Sequence, residues 1–412
     1  MSAGPRAIGA RAFDVSRRSW WRPLWLAVLA IGTLLAARTA LGTVSAWVDY
    51  GRFQVDRTDF ILYYASALQG LRFGWPHLYD VAAQHQVLHS LARPGAILFF
   101  PNVYTPPMAW LVAPLTRLAP AAAYLAWSVA TAAGLVVAWW LMARVSPLPK
   151  ALLLVAALCP YIVLLGLQLG QVNTLQMACM GVSVVLLRRR RDAWAGLPLV
   201  VVALHPQGLE LVPLALLAAG RWRAFATWAG AMAVVGLAVV AVIGVDGTRA
   251  YVQRLLFADA HPIAFWVGPW YTLPLQVGPG ATRLLIEGLA ALVALYAAWR
   301  HRGAGPELPI VAGILGSLLS SPFLHLYDLM WLVPAAWLLI SAGARAWELV
   351  LLAAGFLVAV QCTYVGVASW ARYLLALEAF WLVALALFRS APDPSRQRRR
   401  AAAAGGRAEL SA

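Results

Sequence analysis

The sequence predicts an all-α polytopic membrane protein, with about twelve spanning helices and a long first external loop carrying interfacial helices. Three observations predict this. The mean hydropathy is +0.74 with only 12% charged residues, against about 25% in soluble domains. Apolar runs of bilayer-crossing length, about 17–25 residues, recur along the chain. The arginines are grouped at the ends of those runs rather than spread over them. A transmembrane barrel would instead show short segments of alternating polarity.

Basic residues set the orientation. Arg6, Arg11, Arg17, Arg18 and Arg22 precede the first run, Arg188 to Arg191 interrupt the middle, and Arg396 to Arg400 follow the last. This is the positive-inside pattern, with attraction to anionic lipids as a by-product, so the formal charge of +16 does not call for a nucleic-acid partner. Residues 1–23 read as a basic cytoplasmic N-terminus, 24–390 as the membrane domain and 391–412 as a disordered basic tail. The run from Pro23 to Trp47 is too long for a signal-peptide core and lacks a cleavage site. Cys159, Cys179 and Cys362 lie in apolar runs at unrelated spacings and imply neither a disulfide framework nor a zinc site.

Taken in order, the first helix (24–46) runs outward and leads into an external segment, 47–120. Within it, Asp59 to Leu71 and Val81 to Arg93 carry apolar residues at helical spacing, the second with His85 and His89 one turn apart; both read as helices in the interface plane. The next element, from Tyr104 through Pro106-Pro107 to Leu118, holds three prolines and is short for a span. If it crossed, Arg144, Lys150 and the Arg188–Arg191 run would lie outside, so it reads as a re-entrant or surface helix. The remaining spans fall at about 121–143, 150–167, 172–187, 193–204, 207–220, 224–243, 275–299, 307–321, 325–341, 346–365 and 371–389, which leaves both ends cytoplasmic. The 193–204 and 207–220 pair reads as half-length helices meeting at Pro206, a break tolerated where it lines a cavity.

On this topology the unusual polar residues share the external face: Asp56, Asp59, Tyr63, Tyr104, Gln171, Asn173, His205, Gln207, His325 and Asp328, with Arg254 and Trp270 in an external loop over 244–275. Their convergence from separate segments suggests a cavity. Each also has a plain structural reading. Asp59 could only cap the helix that follows it, Gly170–Asn173 could be a polar turn, His205 an interior histidine, and His325 and Asp328 a local pair. Glu287 and Glu378, in apolar runs without a nearby motif, read as structural.

Asp59-Phe60 with Tyr63-Tyr64, Tyr104-Thr-Pro-Pro, Gly170-Gln171-Val172-Asn173-Thr174-Leu175, Leu204-His205-Pro206-Gln207 and Ser321-Pro322…Asp328 together resemble glycosyltransferase family 87. This is the polyprenol-phosphate-mannose-dependent α-1,2-mannosyltransferase group of the C-type superfamily, and the resemblance covers roughly residues 24–390. It implies a C-type membrane fold, a lipid-linked sugar donor, transfer with inversion, and a catalytic aspartate in the first external loop, a position Asp59 matches. The Tyr104-Pro106-Pro107 and Gly170–Asn173 motifs match family motifs that line the cavity, and the remaining polar residues above, with Trp270 as a flat platform for a sugar, are read as substrate-binding candidates. Two features depart from the family pattern. His205-Pro206-Gln207 stands where Lys-Pro-Gln is usual, and Phe323-Leu324 separate Pro322 from His325.

The expected function is therefore transfer of a sugar, mannose before arabinofuranose, from a polyprenyl phosphate to a glycolipid or polysaccharide acceptor. The expected place is the outer face of a bacterial plasma membrane. The reaction asks for a base and for positive charge near the phosphate, and requires no metal or cofactor. A transporter or flippase for a lipid-linked sugar is the rival reading; it predicts internal repeats and midplane charges. A scaffold subunit would not need polar motifs converging on one face.

Overall fold

The computed structural model describes residues 21–49, 51, 54–91, 102–145, 150–261, 280–322, 324–361 and 367–389. Among these every regular element is helical. A 29-residue helix, α1 (Trp21–Asp49), is followed by α2 (Phe60–Phe73) and α3 (Val81–Leu91), which form where helical spacing predicts them. The prolines at 106 and 107 start a single two-turn helix, α4 (Pro106–Val112), continued by a 3₁₀ turn to Arg117. Seven residues of α-helix rise only about 10 Å, far less than the ~30 Å hydrocarbon core.

Beyond it run α5 (Pro120–Val145), α6 (Lys150–Leu158), α7 (Tyr161–Leu169), α8 (Asn173–Arg188), α9 (Asp192–Ala195), α10 (Val212–Ala218) and α11 (Trp222–Ala260). The chain continues through α12 (Ala281–Arg300), α13 (Glu307–Ser320), α14 (Leu332–Ser341), α15 (Ala346–Gln361) and α16 (Val367–Leu387). By length and composition, three described stretches can cross a bilayer: Pro120–Met142, Trp222–Ala260 and Ala281–Arg300. The α6–α7 pair, bent by 69° where Cys159-Pro160 interrupts it, would make a fourth. Others, such as the 14-residue α13, reach only about 21 Å, because prolines, glycines and 3₁₀ turns cut the apolar runs before they reach full length.

Three expectations need correcting. The 193–204 and 207–220 segments do not meet as two half-helices. The first is one turn of α-helix and a 3₁₀ turn ending at Ala203, and residues 204–211 are turns leading into α10. Pro206 removes a backbone donor and Gly208 takes φ +86°, so no helix continues across them. The external loop placed at 244–275 is helical as far as Ala260: α11 bends at Gly244 (φ 73°, ψ 175°), a conformation open essentially to glycine alone, and then resumes. Arg254 therefore sits on a helix, not a loop. Finally, 325–341 opens as a 3₁₀ turn (Leu326–Trp331) before becoming α14. Trp270, residues 1–20 and the 391–412 tail lie outside the described residues.

The helix ends are not alike. At one end Arg188 pairs with Glu307 (2.5 Å), Arg221 with Asp192 (3.1 Å) and Arg389 with Glu348 (2.6 Å), tying α8 to α13, α9 to α11, and the chain after α16 to α15. Arg300 and Arg345 donate to the carbonyls that close α16. The Arg389–Glu348 pair is buried; removing one partner of such a pair costs about 3–5 kcal/mol. The opposite end collects the helix breaks at Gly170-Gln171, at 204–211 and beyond the end of α13 at Ser320.

Candidate active site

Asp59 precedes α2 as its N-cap, with helical φ and ψ and no side-chain capping bond. The plain capping reading therefore does not describe it. Its carboxylate accepts a hydrogen bond from the Gln171 amide, and the Tyr327 hydroxyl is near enough to favour its ionised form. Phe60, buried beside Tyr124 and Trp127, anchors the start of α2 to α5. Asp59 itself keeps partial exposure, with protein on one side and solvent on the other.

Gln171 is delivered by the C-terminus of α7. Gly170 turns left-handed (φ +77°), and the Gln171 N–H returns to the Gly166 carbonyl at 2.8 Å, the pattern by which helices commonly end. Tyr124, Trp127 and Trp47 donate to the carbonyls of Gln168, Gly170 and Leu167 at this helix end. The amide orientation follows from its two partners. Oε1 accepts from Tyr63 at 2.6 Å, so the NH₂ faces Asp59. Tyr104 stands edge-on to Tyr63, ring centroids 4.5 Å apart. Thr105 bonds the Ala203 carbonyl at 2.6 Å and joins this loop to the 204–211 turns.

A second carboxylate, Asp328, is 1% exposed. Its Oδ1 accepts from Asn173 Nδ2 at 3.1 Å and faces His205 Nε2 at 3.2 Å, while Oδ2 accepts the His325 N–H at 2.8 Å. His325 stacks on Tyr327 (centroids 5.1 Å), the residue whose hydroxyl reaches Asp59. The two carboxylates are thus linked through one 3₁₀ turn. Burial raises the pKa of Asp59 above the ordinary carboxylate range; nearby His325 and the bonds from Tyr327 and Gln171 oppose the rise, and Asp328 adds to it. Such a carboxylate holds a proton more tightly than a free aspartate.

The structure brings Asp59, Tyr63, Tyr104, Gln171, Asn173, His205, His325 and Asp328 together. Gln171, Asn173 and Asp328 spend polar atoms on one another and on Asp59, which makes them an internal scaffold for the carboxylate. Asn173 Oδ1, Gln207 Oε1 and Glu210 Oε2 are buried acceptors without a hydrogen-bond partner in the same region, and Glu210 lies within reach of Asp328's charge. Arg254 is set further out. It donates to the Tyr79 carbonyl at 3.2 Å, and the Tyr79 hydroxyl in turn bonds the Tyr104 carbonyl at 2.7 Å. Asp56, 6% exposed, lies in the 3₁₀ turn Val55–Arg57 before Asp59. Sequence reasoning missed Tyr327. The available signal was its position inside the Ser321…Asp328 element, between two residues already singled out.

The family model of glycosyltransferase family 87 matches residues 102–322, a little over half of the chain. The matched region includes Tyr104, Gly170–Asn173, His205-Pro206-Gln207 and Arg254; Asp59 precedes it and the His325–Asp328 turn follows it. Neither the curated proteins nor the solved structures give a match to the chain. With apolar helices throughout and the match spanning most of the breaks that build this site, the chain belongs to glycosyltransferase family 87 and is a membrane glycosyltransferase.

Proposed function

We propose that the enzyme transfers a sugar, mannose first among candidates, from a polyprenyl phosphate to a hydroxyl of a glycolipid or polysaccharide acceptor, with Asp59 as general base. The observation that carries the reading is a carboxylate of raised proton affinity on a partly exposed residue, held by the Gln171 amide. Asp59 takes the acceptor's hydroxyl proton as the oxygen bonds to the anomeric carbon. The bond from that carbon to the phosphate oxygen breaks, and its electron pair leaves with the polyprenyl phosphate. Attack from the face opposite the leaving group inverts the centre. Arg254 is the cation available to the departing phosphate, with His325 as a further hydrogen-bonding group, and the unpartnered acceptors of Asn173, Gln207 and Glu210 suit the hydroxyl groups of a sugar.

We further place twelve membrane passes, several short or broken, with the arginine-paired end in the cytoplasm and Asp59 at the outer face of a plasma membrane. The enzyme reading is tested by Asp59→Asn in purified protein with polyprenyl-phosphate mannose. Turnover should fall by about 10²–10⁴-fold, the worth of a positioned base, while donor binding holds. Asp56→Asn should be much milder. Near-normal transfer by both variants removes this loop from catalysis.

A further inference from the structure

The external segment carries a second group of chemistry-bearing side chains that the transfer reaction does not use. His85 and His89 sit one turn apart on α3, both exposed, with imidazole Nε2 atoms 3.1 Å apart and ring centroids separated by 4.2 Å. The inner face of the same helix is fixed. Val87 and Leu88 are buried beside Ala65 of α2, and Gln84 Oε1 accepts the Asn102 N–H at 3.2 Å. The two imidazoles thus project from a helix that is packed on its other side.

We propose that His85 and His89 chelate a late first-row divalent cation, Cu²⁺ or Zn²⁺. Cis nitrogens stand about 3.3 Å apart around tetrahedral Zn²⁺ and about 2.8–2.9 Å apart in a square-planar site. The observed separation lies between these values, so both rings are already placed to share an ion. Nitrogen donors favour copper and zinc over magnesium and calcium, which take oxygen. No third His, Cys, Asp or Glu joins the pair among the described residues, so water completes the coordination and the ion exchanges readily. An occupied site staples one turn of α3, the helix whose Gln84 holds Asn102 two residues before Tyr104.

The test uses the full chain purified in detergent with any affinity tag removed, titrated with Cu²⁺ and followed by electron paramagnetic resonance. The wild type should show one bound copper per chain with nitrogen hyperfine structure. His85→Ala and His89→Ala should each lose it; both positions are exposed, so the fold is retained. A register variant, His89→Gln with Ser90→His, keeps two histidines but moves one off the shared face, and should also lose the signal. Copper binding by the double alanine variant equal to the wild type's, or by the register variant as tight as the wild type's, overturns the proposal.

Discussion

Asp59 differs from an ordinary surface aspartate in two ways: its carboxylate is buried enough to resist ionisation, and the Gln171 amide holds it while the nearby Tyr327 hydroxyl favours its ionised form. A general base works only when ionised, so transfer should decline as pH falls through the raised pKa of Asp59. The acid limb therefore begins at higher pH than for a free carboxylate. Tyr327→Phe tests the origin of that limb. The lost hydroxyl stabilises the ionised form, so its removal should move the acid limb of kcat/KM to still higher pH, with little change where Asp59 is fully ionised. An acid limb unmoved in the phenylalanine variant would detach Tyr327 from the carboxylate. Asp59 and Gln171 were legible in the sequence because polar residues beside long apolar runs need a reason. Tyr327 was not, since a tyrosine at the edge of an apolar run ordinarily belongs to the interface belt, and only the 3₁₀ turn aims its hydroxyl at Asp59.

At the level of elements, the site is built from places where helices stop. Apolar patterning marks where α2, α3 and α5 lie, and it located them. It says less about the 204–211 turns and the bend at Gly244, because polar residues there mark an interruption without giving its form, while one proline and two glycines decide the backbone. Gly170 is the stop on which the site most depends. Its φ of +77° is costly for any residue with a Cβ, by about 1–2 kcal/mol, and a Cβ there would stand 2.8 Å from Phe60 Cβ. Gly170→Ala must displace either Gln171 or the Asp59-Phe60 corner. The expected result is a loss of turnover well beyond what the modest fall in thermal stability in detergent accounts for. A stable variant with normal turnover would show that the Gln171–Asp59 bond is dispensable.

Over the whole molecule, the distribution of charge gives the bundle a direction. Lys150 lies at the far end of α5, where Trp139 donates to its carbonyl, and Arg188, Arg221, Arg300, Arg345 and Arg389 share that end with it. Tyr124 and Trp127, near the start of α5, donate instead to the carbonyls beside Gln171, so the start of α5 lies at the Asp59 end. Arg117 stands just before that start, exposed, next to Leu118, whose carbonyl accepts from Tyr64 of α2. It is therefore, with Arg57 and Arg72, among the basic residues that should break the inside rule. In a background lacking the native cysteines, Arg117→Cys should react with an impermeant thiol reagent in intact cells. Arg302→Cys, exposed just beyond α12 at the arginine-paired end, should react only after permeabilisation. The reverse pattern would turn the molecule over and put Asp59 in the cytoplasm. Labelling of both from outside would show that an even number of crossings separates Arg117 from Arg302, and that a short element between them must be assigned anew.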